Sequence, residues 1–464
     1  MKEIRLYNTE TRNIDNFVPI KPGEVGIYSC GPTVYHYAHI GNLRSYIFAD
    51  ILRRTFVYNG LQVKHIINIT DVGHNTDDDD NGMDKMEKGS LREGKSAFEI
   101  AKYYTQAFMD DLFLLNIPQE KYIFPRATDN IQEQINIVKT LEEKRFTYTI
   151  SDGVYFDTSK FTNYGKMAKL DIEGLKSGAR VEENKEKKNI TDFALWKLSK
   201  ENEKRQMEWD SPWGIGFPGW HIECSAMSEK YLGKHFDIHT GGIDHIPVHH
   251  TNEIAQSEAV NNEKFVNYWI HVNFLNDKSG KMSKSNEDFL RLKTLTSLNY
   301  LPLSFKYLML TTHYRKETMF SYESLDGAQV AYKKLYNFCA ENFGVNGKVN
   351  EEYKNKFEEF LFNDISTPEC IALIWEMLKD ETLENDDKYA TILSFDEVLG
   401  LNLKEAKKEE VIIPDNVKGL LEARASARLT GNYQESDRLR DEILSLGYIV
   451  KDGKDGQSVD LLNS

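Results

Sequence analysis

The sequence is poor in cysteine, since only four of its 464 residues are of this type. Cys30, Cys224, Cys339 and Cys370 lie far apart and form no CxxC pair, which argues against a disulfide framework and against a zinc ribbon. The sequence also lacks the run of about 18 to 20 apolar residues that spans a bilayer. We therefore expect reduced thiols, no membrane contact and a cytoplasmic location.

An excess of basic residues is also lacking, because the formal net charge is -15. Nucleic-acid-binding proteins usually present a basic surface, so composition alone argues against a nucleic-acid partner. Hydrophobic residues make up 40% of the chain, which is long enough for two or three packed domains. The acidic run at residues 77–80 lacks the spaced ligands of a calcium loop, and we expect a solvated loop there.

Apolar strand patterns alternate with helical patterns over the first 275 residues or so. A first strand, helix and strand are predicted at residues 24–30, 42–58 and 63–69. A second such unit is predicted at residues 236–239, 249–261 and 268–274. This alternation is typical of parallel sheets. The predicted fold is an α/β, Rossmann-like doubly wound parallel sheet that is split by an insertion and followed by a C-terminal α-helical region.

A strand is predicted at residues 154–157 of the insertion. Helices are predicted at residues 304–340 and 353–379, and two further helices end at Gly431 and Gly447.

The tetrapeptide His39-Ile-Gly-Asn42 lies where the first predicted strand leads into its helix. Ligands of doubly wound sheets bind beyond the carboxyl ends of the strands, where helix N-termini offer N–H groups to phosphate. We predict that Gly41 lets a nucleotide lie against the backbone, and that His39 and Asn42 donate hydrogen bonds to phosphate oxygens. Alone, the tetrapeptide is a weak signal.

A second motif, Lys281-Met-Ser-Lys-Ser285, follows the last predicted strand of the sheet. Two lysines in such a loop can neutralise the charge that builds up on a leaving pyrophosphate, and Lys284 is the better placed of the two. The alternative is an exposed basic turn. Since a folded-back sheet brings both motifs to the same edge, their order along the chain favours a shared nucleotide site.

The two motifs resemble the HIGH and KMSKS signatures of class I aminoacyl-tRNA synthetases. This resemblance implies that the chain binds ATP with Mg²⁺ and activates an amino acid as its adenylate. It identifies His39, Asn42, Lys281 and Lys284 as the expected catalytic residues. No protein nucleophile is needed, because the substrate carboxylate attacks the α-phosphorus and catalysis consists of positioning and charge stabilisation.

Four further residues form a candidate metal site: Cys30, Cys224, His249 and Glu253. Cys30 ends the first predicted strand, whereas His249 and Glu253 are four residues apart, on one face of a predicted helix. Sulfur, nitrogen and oxygen ligands together suit zinc. The spacing alone, however, favours an interpretation without a metal. In that interpretation the cysteines are small buried hydrophobic residues and the histidine caps a helix.

The segments around these four residues resemble the zinc-ligand motifs of cysteinyl-tRNA synthetases, and they match at each position. The resemblance implies one Zn²⁺ per chain that coordinates the thiolate of L-cysteine and distinguishes it from the serine hydroxyl. His239, His245 and His250 remain competing ligands. The implied ATP contacts are Thr33, His39, Gly41, Asn42, Gly241, Gly242, Asp244 and Lys284. The implied amino-acid contacts are Cys30, Thr33 and Trp220.

The resemblance runs through nearly the whole chain and implies ligation of L-cysteine to the 3′ end of tRNA(Cys) by a monomer. It departs from the family pattern at Asn42, where a second histidine is usual, at His36 and at residues 245–248. The expected segments are the two halves of the catalytic domain at 1–120 and 201–275, an insertion at 121–200, a KMSKS-bearing stem-contact segment at 276–321 and a helical anticodon-binding region at 322–464.

Residues 84–89 also resemble a segment of the family. The arginines of residues 423–428 and 436–440 are expected on helix surfaces, which resembles the family's anticodon-binding region, although ordinary solvated helices are the alternative.

Two other functions remain open at this stage. The first is a cysteine ligase that uses the same ATP and zinc machinery on an amino sugar, although such an enzyme lacks a full anticodon region. The second is a non-catalytic, zinc-dependent nucleic-acid-binding paralogue. The presence of Cys30, His39, Lys281 and Lys284 argues against that second alternative.

Overall fold

The computed structural model describes residues 1–73, 84–170, 185–200, 205–277, 280–281, 290–408, 413–453 and 456–461. The chain divides into two compact units, Met1–Glu405 and Ala406–Ser464. The prediction of a solvated loop at residues 77–80 lies outside the described residues. Within the described ranges, no helix has both the length and the apolar character needed to cross a membrane.

Strands and helices are numbered here along the described residues. The strands of the first unit are β1 Arg5–Asn8, β2 Asn13–Asn16, β3 Glu24–Ser29, β4 Gln62–Ile67, β5 Thr147–Ile150, β6 Gly153–Phe156, β7 Phe193–Leu198, β8 Gly216–Pro218, β9 Phe236–Gly242, β10 Val266–Val272, β11 Leu275–Asp277, β12 Gly280–Lys281 and β13 Thr318–Met319. Its α-helices are α1 Ile40–Tyr58, α2 Lys85–Glu93, α3 Ala97–Leu114, α4 Ile131–Glu143, α5 Trp220–Leu232, α6 Thr251–Asn261, α7 Leu292–Ser297, α8 Pro302–Leu310, α9 Tyr322–Glu341, α10 Glu351–Leu361, α11 Thr367–Lys379 and α12 Asn385–Leu399.

A four-stranded parallel sheet in the order β10-β9-β3-β4 organises the first unit. From the central pair, β3 leads outward to β4 on one side and β9 leads outward to β10 on the other. The neighbouring strands β3 and β9 therefore flank the topological switch point, beyond which ligands of such sheets bind. Ile27 and Tyr28, successive residues of β3 on opposite faces of the sheet, are both buried, as expected for a sheet that is covered on both faces. The predicted doubly wound parallel sheet is confirmed.

The predicted insertion contains an antiparallel sheet of its own, in the order β5-β6-β7-β8. The sequence predicts only the strand at 154–157. Strand β7 is buried over five of its six residues, so it lacks the alternation of apolar and polar residues that marks a half-exposed strand. At β8, a Cβ on Gly216 would lie 2.0 Å from the carbonyl oxygen of Lys197, and only glycine permits this close approach.

Two long helical predictions, at residues 304–340 and 353–379, are each interrupted in the structure. Between α8 and α9, strand β13 pairs in parallel with β11. Between α10 and α11, Asp364 and Ile365 adopt positive φ angles of 64° and 51°. The Asp364 carboxylate accepts hydrogen bonds from Tyr314 Oη and Arg315 Nε. These long-range contacts stabilise breaks that helical periodicity alone does not reveal.

The second unit consists of α13 (Asp415–Leu429), α14 (Tyr433–Ser445) and an antiparallel hairpin of β14 (Tyr448–Gly453) and β15 (Gly456–Leu461). Both helices were predicted, with Gly431 and Gly447 as their stop signals. The prediction that the arginines of residues 423–428 lie on the helix surface is wrong for Arg424, which is buried and binds Asp452 and Gln457. Arg438 is exposed, as predicted.

A buried ionic cluster joins α1 to α8 in the first unit. The Asp50 carboxylate is fully buried and accepts hydrogen bonds from Tyr122 Oη at 2.7 Å, Arg54 Nε at 2.6 Å and Lys306 Nζ at 3.3 Å. Burial alone would raise the pKa of Asp50, but Lys306, Arg54 and Arg53 lower it to about 2. The carboxylate thus stays charged and compensates several buried cations.

We expect Asp50→Asn to lower the free energy of unfolding by about 3 to 5 kcal/mol at neutral pH, because it leaves buried cations without their counter-charge. Since the pKa of Asp50 is lowered on folding, the stabilisation is present above about pH 4 and is lost as the pH falls towards about 2. Urea unfolding at several pH values measures both effects. The exposed Asp110 is the control, and D110N should change stability by less than about 0.5 kcal/mol.

Candidate active site

A cavity of about 390 Å³ lies beyond the carboxyl ends of β3 and β9. Its position is the one expected for a ligand site at a topological switch point. Most of the site residues predicted from the sequence contribute to its wall. These residues are Cys30, Thr33, His39, Gly41, Asn42, Trp220, Cys224, Gly241, Gly242, Asp244 and His249.

His39 and Asn42 start helix α1 together. His39 is the N-cap residue: its Nδ1 accepts a hydrogen bond from the Asn42 backbone N–H at 3.1 Å, and its own N–H donates to Asn42 Oδ1 at 3.3 Å. This arrangement is a capping box, in which each side chain satisfies the backbone of the other residue. Because Nδ1 is an acceptor here, the proton of a neutral His39 lies on Nε2.

Gly41 leaves room for the ring of His39. A Cβ at this position would lie 2.9 Å from His39 Nδ1, so a larger residue would displace the capping side chain. The sequence predicted a different use of Gly41, close approach of a nucleotide to the backbone. Gly41 does line the cavity, which is compatible with that prediction.

The second motif lies mostly outside the described residues. The backbone of Lys281 pairs with Asn276 in the short β11–β12 ladder, and the neighbouring residue Leu275 lines the cavity. This places the start of the motif beside the site. The side chain of Lys281 and the whole of Lys284 are outside the described residues, and their roles stay predictions.

A buried arginine anchors the start of α1 to the segment that precedes this motif. Arg44 donates hydrogen bonds to the carbonyl oxygens of Asn273, Phe274 and Lys316, at 2.9, 2.5 and 2.6 Å. Charged donors make strong hydrogen bonds to buried carbonyl groups. Sequence reasoning missed Arg44 because its partners lie more than 200 residues away.

The four predicted metal ligands converge at the base of the cavity. One ligand atom from each of Cys30, Cys224, His249 and Glu253 lies within 4.8 Å of the others. His249 belongs to a π-helical turn, Ile246–His250, that leads into α6, and its Nε2 lies 3.0 Å from Glu253 Oε1. The contact between these two atoms lacks the geometry of a hydrogen bond, and a cation held by both would satisfy the buried oxygen.

A second set of four donors shares two of these residues. Cys30 and Glu253 also lie within 4.8 Å of ligand atoms on His239 and His250. Only the first set, however, places three of its residues on the cavity wall: Cys30, Cys224 and His249. A metal held by that set can reach a molecule bound in the cavity. Of the competing ligands considered from the sequence, His245 belongs to neither set.

The electrostatics of the cluster favour the metal-binding form of two ligands, Cys224 and Glu253. A hydrogen bond from the Cys30 thiol lowers the pKa of Cys224 to about 7. Burial opposes the charge on Glu253, but His239 and His249 lower its pKa to about 2. The site thus offers a thiolate and a carboxylate near neutral pH, and both are ligands for Zn²⁺. By contrast, burial raises the pKa of the Cys30 thiol, and, against the effect of burial, Glu253 and Cys224 raise the pKa of His249 to about 10. Metal binding would therefore release a proton from each of these two residues.

Further histidines surround the ligands and orient them. His221 Nδ1 lies 3.0 Å from His249 Nδ1, so it can hold the ring of His249 with Nε2 towards Glu253. His250 bridges Cys30 Sγ at 3.2 Å and His271 Nε2 at 2.7 Å. Partners of this kind fix the ring orientation and the tautomer of metal ligands.

The sequence did not identify Lys85 as a site residue and considered His245 only as a competing metal ligand, although both line the cavity. Lys85 Nζ lies 5.6 Å from the ring centroid of Trp220, so it adds positive charge beside the predicted amino-acid pocket. A family-like segment at residues 84–89 was the available signal for Lys85. For His245, the signal was its departure from the hydrophobic residues usual before the histidine pair.

Comparison with known proteins identifies the family to which the chain belongs. Residues 16–330 match the family described as "tRNA synthetases class I (C) catalytic domain". Residues 412–459 match the family described as "Cysteinyl-tRNA ligase anticodon binding domain". The chain is 49% identical to cysteine–tRNA ligase 1 of Burkholderia lata, over 98% of this chain and 96% of that protein. It is 42% identical to the cysteine–tRNA ligase of Treponema denticola, over 97% and 98% of the two chains.

Solved structures with little sequence identity share the fold. Methionyl-tRNA synthetase of Mycobacterium tuberculosis, in complex with methionyl-adenylate, aligns with a TM-score of 0.53 at 12% identity. The alignment covers 82% of this chain and 90% of that one. LeuRS of Agrobacterium radiobacter aligns with a TM-score of 0.56 at 10% identity, over 83% and 84% of the chains. These similarities support the class I fold alone.

We expect the protein to bind about one zinc ion per chain and Cys224→Ser to lose it. Removal of a direct ligand should weaken zinc affinity by more than about 100-fold, because changes to outer partners already cost about 10- to 100-fold. Metal analysis after dialysis measures the stoichiometry. Cys339 is an equally buried thiol outside the cluster, so C339S is the matched control and should retain the metal. Equal zinc content in the wild-type protein, C224S and C339S would contradict the assignment of Cys224 as a zinc ligand.

Proposed function

Because the chain belongs to the cysteine–tRNA ligase family of the class I tRNA synthetases, we propose that it activates L-cysteine with ATP as cysteinyl-adenylate and transfers it to the 3′ end of tRNA(Cys). The observation that carries the proposal is the shared cavity. Cys30, Cys224 and His249 line the same space as His39 and Asn42. An amino acid held by its sulfur would therefore lie beside a nucleotide held at the start of α1.

We infer that Cys30, Cys224, His249 and Glu253 hold one Zn²⁺ ion. When bound, the ion would supply a soft Lewis acid that prefers the thiolate of cysteine to the hydroxyl of serine. The protein contributes the buried donor set and the histidines that orient it. The ring of Trp220 lies 4.5 Å from that of His249, which supports its predicted role as a wall of the amino-acid pocket.

On the nucleotide side, we infer that ATP and its Mg²⁺ occupy the space between α1 and the end of β9. His39 Nε2–H and the side-chain amide of Asn42 are side-chain donors at the helix N-terminus of the kind that suits phosphate oxygens. Thr33, Gly41, Gly241, Gly242 and Asp244 also line this cavity. Their positions support the predicted contacts to the nucleotide, and Lys281 and Lys284 would neutralise the leaving pyrophosphate.

The second unit is the part that we propose to contact the anticodon end of tRNA(Cys). The match of residues 412–459 to an anticodon-binding family supports this role, and exposed arginines on α14 can contact phosphates. The division into two catalytic halves, an insertion, a stem-contact segment and an anticodon-binding region, as predicted from the sequence, is also proposed. Monomeric state and cytoplasmic location stay predictions.

Exchange of labelled pyrophosphate into ATP tests the activation step. We expect exchange that depends on cysteine, with serine at least about 1000-fold less effective, because a hydroxyl is a poor zinc ligand at neutral pH. Charging of purified tRNA(Cys) then tests transfer. Exchange without tRNA charging would indicate the amino-sugar ligase instead, and absence of any exchange would indicate the non-catalytic paralogue.

We expect Lys284→Ala to slow adenylate formation by about 100-fold or more, with little change in cysteine affinity, because the lysine acts on charge that develops in the transition state. Single-turnover measurements of adenylate formation separate the rate from binding. Lys293 is an exposed lysine on α7, and K293A is the control that should retain the full rate. A wild-type rate of adenylate formation in K284A would contradict the proposed role of Lys284 in neutralising the pyrophosphate.

A further inference from the structure

His245 differs from the other histidines at the base of the cavity. His221 and His249 are hydrogen-bonded to each other, and His250 is hydrogen-bonded to His271. Nδ1 of His245, like that of His239, is buried with no hydrogen-bond partner among the described residues. Of these two histidines, His245 is the one that lines the cavity. Buried polar atoms without partners are rare and costly, so this nitrogen constrains which tautomer of the ring the site can hold.

The surroundings of His245 fix the position of its ring. The ring lies edge-on to Trp220, with centroids 6.2 Å apart, and its centroid is 5.1 Å from that of His249. A Cβ on Gly241 would lie only 2.8 Å from His245 Nδ1, so Nδ1 packs against the end of β9. His245 nevertheless lines the cavity, so the opposite nitrogen, Nε2, is the one available to a bound molecule.

The tautomer follows from the same contacts. A proton on the buried Nδ1 would create an N–H group without an acceptor, which folded proteins avoid more strictly than an unused acceptor. The proton of a neutral ring therefore belongs on Nε2. His245 then presents an N–H donor to the cavity, and its partner must be an acceptor.

We propose that His245 is a specificity-determining residue that donates a hydrogen bond from Nε2–H to the α-carboxylate of bound cysteine. Along the chain, His245 lies between Gly241 and Asp244, which are proposed nucleotide contacts, and His249, which is a proposed metal ligand. The carboxylate is the part of cysteine that must lie between its sulfur and the nucleotide. This inference rests on the proposed function and adds a contact to it.

Two ligands that share the thiol test the proposal. Cysteine carries the carboxylate and cysteamine lacks it. Isothermal titration of zinc-loaded protein without ATP gives both dissociation constants. In His245→Leu, we expect the affinity for cysteine to fall about tenfold, as for loss of one hydrogen bond to a charged group. The affinity for cysteamine should change less than about twofold, and each protein should contain one zinc per chain.

Two further variants provide controls. H245Q places an amide N–H near the position of Nε2 and should bind cysteine within about threefold of wild type. His235, at the other end of β9, already bonds Asn267, so H235L should leave both affinities unchanged.

Equal losses for the two ligands, loss of zinc from H245L, or unchanged cysteine affinity in H245L would each overturn the inference. If wild-type protein binds no cysteine, the proposed function is contradicted as well. That outcome can be told apart from failure of the His245 proposal alone, because it is seen without any variant.

Discussion

The base of the cavity depends on one buried carboxylate, that of Glu253. Its side chain is fully buried, and imidazole nitrogens approach it from β9 and from the π-helical turn: His239 at 2.9 Å, His249 at 3.0 Å and His250 at 3.9 Å. An uncompensated buried charge would be very costly. The strand, the turn and α6 must therefore keep their relative positions, and these positions bring His249 towards Cys30 and Cys224.

The π-helical turn gives the adjacent histidines separate tasks. His249 faces Glu253 and the cavity, whereas His250 contacts Cys30 and His271 behind it. Widened turns of this type are rare and occur frequently at functional sites. The same local geometry explains how two candidate donor sets share Cys30 and Glu253, while only one of them has three residues on the cavity wall.

Much of the fold and of the site follows from local sequence patterns. The strands that end at Cys30 and begin at Phe236 carry clear apolar runs, and the position of each motif after a strand indicates a shared sheet edge. The insertion sheet and the breaks near Asp364 could not be predicted in this way, because long-range contacts stabilise them. The same holds for Arg44 and for the histidine network, since spacing does not reveal which buried side chains will meet.

The departure at Asn42 shows how the start of a helix and a nucleotide site can use the same residues. Asn42 Oδ1 accepts the backbone N–H of His39, and His39 Nδ1 accepts that of Asn42. Capping thus occupies one acceptor on each side chain and no side-chain donor. The imidazole N–H and the amide NH₂ are donors of the kind that suits phosphate oxygens. Replacement of the usual second histidine by asparagine therefore preserves both capping and donation, because the asparagine side chain carries an acceptor and a donor on one short amide.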